Sequence, residues 1–400
     1  MRLDILLKRE DFAQIFEQSF TKYLFEKFGL VAKVNWKSGS KSNNSLLANH
    51  KLNVIYSKNI DRIKLKSLVS EYSYHPNAFR RFLQKAYIKF ATSNYLEWLF
   101  LGSSVEINPS INYLNSLCIM PGNHSIRIFD LKTSRCRVIL KEGFNAQFIK
   151  NEIYLRGKYK FLPIPRLLDA DLKGLWYEEE QISALPLNRI SNNKIKKRAL
   201  HEAHSNLINL YIKTLENTNT DGYIKNLNES CQNYINKLPV VYDQKEKDRI
   251  RNILKLLLGT IDLPGKKSVL LVQSHGDFQP ANILIENKSH QLYLIDWEYT
   301  AKRTLFYDAL VFATECRSPH GLSERVMKVI TNFDTSWNWC TSGINSNLSK
   351  LELVIFLIED LLVRLSEIRI QSMITKDKGL DTWIKEVEKI HWPTLIEKNF

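Results

Sequence analysis

The chain has 400 residues and a net charge of +15, with 44% hydrophobic and 25% charged residues. This length suffices for two domains, or for two lobes, each with a buried core. No stretch reaches the roughly 18 consecutive apolar residues of a membrane-spanning helix. We therefore do not expect an integral membrane protein.

The cysteines and the first residues indicate a compartment. The five cysteines are widely spaced and form no C-x-x-C pair, which argues against a disulfide framework or a zinc site. Residues 1–9 lack the apolar core and small-residue cleavage site of a secretory signal. We therefore expect a cytoplasmic protein, with peripheral contact to a membrane surface left open by its basic charge.

Basic residues are concentrated in the first half of the chain. Residues 1–110 contain 17 Lys and Arg against 9 Asp and Glu, and residues 111–200 contain 16 against 8, whereas residues 201–400 contain 24 against 25. Such a surplus attracts a nucleotide, anionic lipid headgroups or an anionic acceptor. A solvated basic surface explains it equally well, and nucleic acid is not expected as a partner.

Residues 1–110 are predicted to form an N-terminal accessory region of mixed, mainly helical structure. Apolar residues at helical spacing predict a helix over Asp11–Phe28, which Gly29 would end. A second helix is predicted over Asn77–Leu101. Three basic residues of this helix are spaced four apart and form a basic stripe, Arg81, Lys85 and Lys89. The stripe suits either an anionic partner or a solvated face.

Residues 111–182 are predicted to form a small antiparallel β lobe. Turn residues separate three short strands, Leu117–Met120, Ser125–Asp130 and Arg137–Leu140. Lys141 follows the third strand, and a predicted helix beginning at Gln147 contains Glu152. A strand lysine that pairs with a helix glutamate can reach the α- and β-phosphates of a nucleotide. Lys150 is the competing lysine, but it falls on the helix.

Residues 183–400 are predicted to form a larger, helical lobe, which follows a linker at Glu178–Leu187. Helical patterns occur at His201–Leu215, Gly222–Lys237, Glu246–Leu258, Phe306–Glu315, Leu351–Arg369 and Asp381–Ile390. His201 and His204 lie three residues apart on one helix face. Because no third ligand is near them in the sequence, we interpret them as surface or packing residues rather than metal ligands.

The segment Ser274–Trp297 carries the chemistry. In the order H-x-D-x-x-x-x-N, then D, it contains four polar residues, His275, Asp277, Asn282 and Asp296. Two strands, Ile283–Glu286 and Gln291–Ile295, are predicted to form a hairpin, which would return Asp296 to the end where Asn282 lies. One carboxylate beside an acceptor hydroxyl, with an amide and a second carboxylate as Mg²⁺ ligands, predicts a phosphoryl-transfer site.

Three motifs of the chain resemble the aminoglycoside phosphotransferase and choline kinase superfamily. H-G-D-F-Q-P-A-N-I-L at His275–Leu284 resembles its catalytic loop, and I-D-W-E at Ile295–Glu298 resembles its metal-binding segment. Y-D-A-L at Tyr307–Leu310 resembles the Y-D-L-A motif that follows. The resemblance is specific over about residues 274–312, is looser over 113–200, and does not cover the accessory region.

The resemblance implies an α+β, bilobal protein-kinase-like fold with a small antiparallel β lobe and a large helical lobe. The mainly helical N-terminal extension would precede these lobes. ATP would bind between the lobes as the phosphate donor, together with Mg²⁺. Lys141 would contact the ATP phosphates, and Glu152 would orient that lysine.

The same resemblance implies roles in the second lobe. Asp277 would position the acceptor hydroxyl and accept its proton, and His275 would brace the catalytic loop. Asn282 and Asp296 would hold Mg²⁺. Gln279 stands where protein kinases usually have Lys, which favours a small-molecule acceptor over a protein.

These inferences predict an ATP-dependent phosphotransferase that moves the γ-phosphate of ATP to a hydroxyl of a small molecule. A sugar or saccharide, an amino alcohol and an aminoglycoside-like compound are the candidate acceptors. A pseudokinase that acts as a nucleotide-binding scaffold is the alternative, and a Ser/Thr protein kinase is a weaker one because no A-P-E segment follows Asp296. The basic N-terminal half makes an anionic saccharide or a lipid-linked acceptor plausible. The oligomeric state is not predicted.

Overall fold

A computed structural model describes residues 2–39, 45–73, 77–109, 112–261, 268–331, 335–368 and 373–390. The chain divides into two compact units. The first contains Met1–Ile153, Pro165–Ser183 and Ser372–Thr375, and the second contains Tyr154–Ile164, Ala184–Gln371 and Lys376–Phe400. Helices and antiparallel strands occur in both, so the predicted α+β class is confirmed.

An antiparallel sheet is the centre of the first unit. Within the described residues its strands are β1 (Lys33–Ser38), β2 (Ser45–Asn49), β3 (Val54–Ser57), β4 (Ser103–Asn108), β5 (Leu117–Pro121), β6 (Ser125–Asp130), β7 (Arg135–Leu140), β8 (Leu167–Ala170) and β9 (Trp176–Glu180). Their order is β1-β4-β2-β3-β5-β6-β7-β9-β8. The predicted boundary at residue 110 lies inside this sheet, because Ile55 of β3 pairs with Ile119 of β5. The accessory role of residues 1–110 stays a prediction.

Helices cover both faces of this sheet. They are α1 (Leu3–Arg9), α2 (Phe12–Phe28), α3 (Arg62–Val69), α4 (Ala78–Ala91) and α5 (Gln147–Lys158). Successive strand residues point to opposite faces. Accordingly, Ile55 packs in the core that contains Phe16 of α2, whereas its neighbour Tyr56 packs in the core that contains Leu65 of α3 and Ile88 of α4.

Local signals account for the ends of the two predicted N-terminal helices. The Asp11 side chain accepts a hydrogen bond from the Gln14 backbone N–H, and Gly29 ends α2 in the left-handed conformation at φ 64°. The helix predicted over Asp11–Phe28 is thus confirmed. The helix predicted over Asn77–Leu101 is too long, because α4 ends at Ala91 and only a short 3₁₀ turn at Glu97–Leu99 follows.

The second unit is mainly helical. Its helices are α6 (Asn193–Thr214), α7 (Thr220–Asn236), α8 (Gln244–Gly259), α9 (Tyr307–Thr314), α10 (Leu322–Ile330), α11 (Lys350–Glu367) and α12 (Lys378–Glu388). Its short strands are β10 (Ala184–Pro186), β11 (Glu216–Asn219), β12 (Ser268–Ser274), β13 (Ile283–Glu286), β14 (Leu292–Leu294) and β15 (Ala301–Thr304). Two small sheets, β10-β13-β14 and β11-β12-β15, result.

The cysteines, His204 and the helix lengths bear on three further predictions. All five cysteines are free, buried thiols. His204 stacks on Trp339 with ring centroids 4.3 Å apart, and burial, followed by the charge of His201, lowers its pKa to about 4. His204 is therefore a packing residue. In the described part of the chain, no helix is both long enough and apolar enough to cross a membrane.

Candidate active site

The predicted hairpin brings two of the predicted site residues to one end. Strands β13 and β14 run antiparallel, with Ile283 opposite Leu294. The ladder continues one residue further, where the Ile295 backbone N–H donates to the Asn282 carbonyl at 3.0 Å. Asp296 follows immediately, in the left-handed conformation at φ 62°. Asn282 and Asp296 therefore both lie at the open end of the same hairpin.

Asp308 fixes the backbone of the loop that precedes this hairpin. Its Oδ2 accepts the His275 backbone N–H at 2.6 Å and its Oδ1 accepts the Gly276 backbone N–H at 2.8 Å. The Tyr211 hydroxyl of α6 also donates to Oδ2, at 2.8 Å. Asp308 is buried in the first turn of α9. The Y-D-A-L motif thus holds the backbone at His275 and Gly276.

Gly276 permits the sharp turn of this loop. Its φ of 88° lies in the region that favours glycine, and a Cβ at this position would lie 2.2 Å from the Tyr299 carbonyl oxygen. Backbone atoms cannot move aside as the end of a flexible side chain can. The glycine between the histidine and the aspartate is therefore a steric requirement of the fold.

His275 is buried and both of its ring nitrogens are occupied. Nε2–H donates to the Ile295 carbonyl at 3.0 Å, and Nδ1 accepts the Asp277 backbone N–H at 3.3 Å. The ring also packs on Trp297, with centroids 4.3 Å apart. Burial lowers the His275 pKa despite the nearby carboxylates, led by Asp308. Both ring nitrogens are thus engaged by the backbone of the same segment, which suits the bracing role that the resemblance implies.

Hydrogen bonds hold the Asp277 carboxylate at both oxygens. Oδ2 accepts from Gln279 Nε2 and from Asn282 Nδ2, each at 2.9 Å, and Oδ1 accepts from Arg317 Nε at 2.8 Å. Burial raises the Asp277 pKa, and the Arg317 charge opposes that shift. A carboxylate oxygen accepts about two hydrogen bonds, so the described residues fill Oδ2 and leave one lone-pair position on Oδ1.

Asn282 is oriented so that its carbonyl oxygen remains for a ligand. Its Nδ2 donates to the Asp277 backbone carbonyl at 2.8 Å as well as to the Asp277 carboxylate. Both amide hydrogens are therefore used within the loop. An amide oxygen and the Asp296 carboxylate are hard oxygen donors, which is the donor type that Mg²⁺ prefers. These two side chains fit the metal that the superfamily resemblance implies.

Arg317 is a site residue that the sequence did not reveal. It lies in the loop after α9, 40 residues from Asp277, and its Nη2 also donates to the Gly276 carbonyl at 2.7 Å. Its Nη1 lies 3.5 Å from Asp360, and its guanidinium faces the Tyr299 ring. Burial would lower the Arg317 pKa, but Asp277 and other groups raise it well above its usual value. Nothing in C-R-S-P-H around this arginine forms a recognisable motif.

Lys141 and Glu152 lie in the first unit. Lys141 follows β7 and is buried, and its Nζ donates to Glu10 Oε1 at 2.5 Å. The Gly122 and Asn123 carbonyls accept from the same Nζ at 3.2 and 3.0 Å. Glu152 is buried on α5. The nucleotide roles of both residues stay predictions.

Glu10 is a second residue that the sequence did not reveal. Its Oε2 accepts from Arg9 at 2.7 Å while Oε1 accepts from Lys141. Burial raises the Glu10 pKa, but Lys141 and Arg9 outweigh burial and lower it. Glu10 directly precedes the helix that was predicted over Asp11–Phe28. The accessory region therefore supplies a buried ionic partner to the lysine.

Residues 165–329 match the family model described as choline/ethanolamine kinase. No curated protein is similar enough in sequence to count as a match. The matched segment contains the His275–Leu284 motif, the hairpin, α9 and Arg317.

Several solved structures resemble this one, all at low identity. Choline kinase LicA from Streptococcus pneumoniae is 16% identical, covers 68% of this chain and 89% of its own, and has a TM-score of 0.41. An ethanolamine kinase from Plasmodium vivax is 14% identical, with 85% and 96% covered and a TM-score of 0.44. An aminoglycoside phosphotransferase from Streptomyces rimosus is 14% identical, with 62% and 92% covered and a TM-score of 0.41.

The family match confirms the resemblance that the sequence motifs indicated. It covers the segment in which the H-G-D-F-Q-P-A-N-I-L motif, the I-D-W-E motif and Asp308 share one hydrogen-bonded site. Residues 165–329 are therefore similar to the choline/ethanolamine kinase family, which is the class of kinase that the sequence motifs indicated.

Proposed function

We propose that the protein is an ATP-dependent kinase that transfers the γ-phosphate of ATP to a hydroxyl of a small molecule. The hydrogen bonding of Asp277 is the observation that carries the proposal. Gln279, Asn282 and Arg317 fix the carboxylate from three directions and leave one lone-pair position on Oδ1. A carboxylate held in one orientation, with one acceptor position left, suits the alignment of a single hydroxyl.

The residues divide the reaction between them. The acceptor hydroxyl donates to Asp277 Oδ1 and gives up its proton there while its oxygen forms a bond to the γ-phosphorus. The bond from that phosphorus to the β,γ-bridging oxygen breaks, and ADP leaves. Asn282 and Asp296 would hold Mg²⁺, and the bound ion would supply positive charge that neutralises the phosphates. His275 maintains the loop geometry. Lys141, oriented by Glu152, keeps its proposed role at the α- and β-phosphates.

The elevated pKa of Asp277 suits a base rather than a permanently charged ligand. Burial disfavours the carboxylate, and Arg317 limits that effect. A general base is most effective when its pKa approaches the working pH. It then accepts a proton readily, and a large fraction of the molecules still carry the ionised carboxylate. The acceptor remains a sugar or saccharide, an amino alcohol or an aminoglycoside-like compound.

A pseudokinase is the second candidate, and the environment of Lys141 favours it. The Nζ of this lysine donates to Glu10 and to two backbone carbonyls, so phosphate contact requires a rearrangement of those bonds. A scaffold whose nucleotide contacts do not include Lys141 needs no such rearrangement. Nucleotide binding combined with complete absence of acceptor-dependent ADP release would support it.

The test is an ADP-release screen with Mg²⁺ and ATP against sugars, amino alcohols, nucleosides and aminoglycosides. We expect one class to stimulate ADP release in the wild-type protein and in the control Asp221→Asn, whose carboxylate is exposed on α7. Asp277→Asn should remove the stimulation. Acceptor-stimulated release that persists in Asp277→Asn would contradict the proposal.

A further inference from the structure

Helix α4 presents an apolar face to the outside of the first unit. Its inner side is buried through Ile88 and Ala91, and the Tyr87 hydroxyl donates to Asn49. The outer side carries apolar residues at the spacing of one helix face, and three of these are phenylalanines: Phe79, Phe82 and Phe90, exposed by 68%, 66% and 46%. Three exposed phenylalanines on one short helix are unusual, since single exposed apolar residues are the rule.

The basic stripe runs beside this apolar face. Arg81, Lys85 and Lys89 are all exposed. An α-helix turns about 100° per residue, so around the helix axis the three basic side chains point roughly 120° away from the three phenylalanines. The basic stripe therefore flanks the apolar face and does not interrupt it. An apolar face bordered by basic side chains is the arrangement of helices that lie in the interface of an anionic membrane.

The segment after the helix extends the same surface. Tyr95, Leu96 and Leu99 are exposed and follow α4 within eight residues of its end. Residues 77–102 contain one acidic residue, Glu97. Its buried carboxylate pairs with Arg62 at 2.6 Å, so it places no free negative charge beside the stripe.

We infer that α4 and the segment through Leu99 form a docking surface for a membrane rich in anionic lipid. The aromatic rings would insert among the headgroups and upper acyl chains, and the stripe would contact the anionic headgroups. A second copy of the chain fits less well, because a two-fold contact through this face brings like charges together. A nucleic acid would use the charges but leave the phenylalanine face exposed to water.

The docking surface is distinct from the proposed chemistry. None of its residues belongs to the proposed catalytic, nucleotide or metal sets. Membrane binding through this surface does not depend on the identity of the phosphate acceptor. If the acceptor is itself in the membrane, such binding would raise the rate at which the protein encounters it. Failure of the docking test would therefore leave the kinase proposal intact, and the reverse also holds.

The test is co-sedimentation of the full chain with vesicles of phosphatidylcholine, with or without phosphatidylserine. Two triple variants separate the contributions. The first removes the charges through Arg81→Gln, Lys85→Gln and Lys89→Gln, and the second removes the rings through Phe79→Ser, Phe82→Ser and Phe90→Ser. A matched charge control on α6 combines Lys194→Gln, Lys196→Gln and Lys197→Gln.

We expect binding to the phosphatidylserine vesicles, weakened by added salt and absent with phosphatidylcholine alone. Each basic residue near a surface strengthens binding about fivefold, so the charge variant should bind roughly a hundredfold more weakly than the α6 control. The ring variant should also lose binding while its circular dichroism stays native. Equal binding of the charge variant and the control, or wild-type binding that ignores phosphatidylserine, would overturn the inference. A wild-type dimer that both α4 variants dissociate would overturn it in favour of self-association.

Discussion

Replacement of Asp308 tests how the catalytic loop is held. In Asp308→Asn, an NH₂ group replaces one carboxylate oxygen, and an NH₂ group cannot accept from a backbone N–H. If it replaces Oδ2, the Tyr211 hydroxyl can reverse and accept, but the His275 N–H loses its acceptor at 2.6 Å. If it replaces Oδ1, the Gly276 N–H loses its acceptor at 2.8 Å. Either orientation leaves one buried backbone donor unsatisfied.

The hydrogen bonds of Asp308 set the expected loss in the free energy of unfolding. A hydrogen bond to a charged group contributes about 1.5–3 kcal/mol, and an unsatisfied buried donor costs about 1–3 kcal/mol. We therefore expect Asp308→Asn to lower the free energy of unfolding by about 2–4 kcal/mol. Asp308→Ala removes all three bonds and should cost about 5 kcal/mol or more, which is a large share of the roughly 5–15 kcal/mol that stabilises a typical protein.

The assay is urea denaturation followed by circular dichroism, with Asp381→Asn as the matched control. Asp381 is an exposed partner of Arg249 and Lys385, and exposed ion pairs contribute about 0–1 kcal/mol. Turnover of the folded Asp308→Asn protein should also fall, because Asp277 directly follows the loosened backbone. An unfolding free energy for Asp308→Asn as high as that of Asp381→Asn would refute the reasoning.

Three further predictions concern the loop and its ionic partners. Arg317→Gln removes the cation that limits the pKa of Asp277, so the acid limb of the pH–rate profile should move to higher pH. Gly276→Ala should abolish activity and destabilise the protein, since its Cβ meets backbone. Glu10→Gln breaks the buried pair with Lys141 and should cost about 3–5 kcal/mol near neutral pH. Because the folded pKa of Glu10 is lowered, that cost should shrink as the pH falls through it.

Each of these has a control. Arg325 bonds the backbone carbonyl of Thr314 in the same region, so Arg325→Gln should leave the acid limb in place. An equal shift in both arginine variants would contradict the role of Arg317. Gly157→Ala meets no atom within 4 Å on α5 and should be tolerated. Wild-type activity of Gly276→Ala, or a Glu10→Gln cost that is independent of pH, would show that the corresponding contact is misassigned.

Local pattern was enough to predict the hairpin and the loop. The polar turn between Ile283–Glu286 and Gln291–Ile295 specifies an antiparallel pair, and the observed register places Asn282 beside Ile295. The bracing role of His275 was implied by the family resemblance, and its two hydrogen-bond partners lie within 20 residues of it in the sequence.

Contacts between distant residues were not predictable from pattern. Arg317 reaches Asp277 across 40 residues, and Glu10 reaches Lys141 across 131. A single arginine or glutamate has no periodicity, so only the folded chain reveals its partner. The pairing between strands of residues 1–110 and 111–182 was not predicted for a related reason, because short strands that are buried on both faces do not specify a partner strand by their sequence.

In the proposed reaction, the Asp277 carboxylate accepts the proton of the acceptor hydroxyl. The most direct measurement compares Mg²⁺–ATP binding by calorimetry with acceptor-stimulated ADP release, in the wild-type protein and in Asp277→Asn. We predict nucleotide affinity within a few-fold of wild type and turnover reduced at least about a hundredfold. Turnover within about tenfold of wild type, at unchanged nucleotide affinity, would contradict the claim.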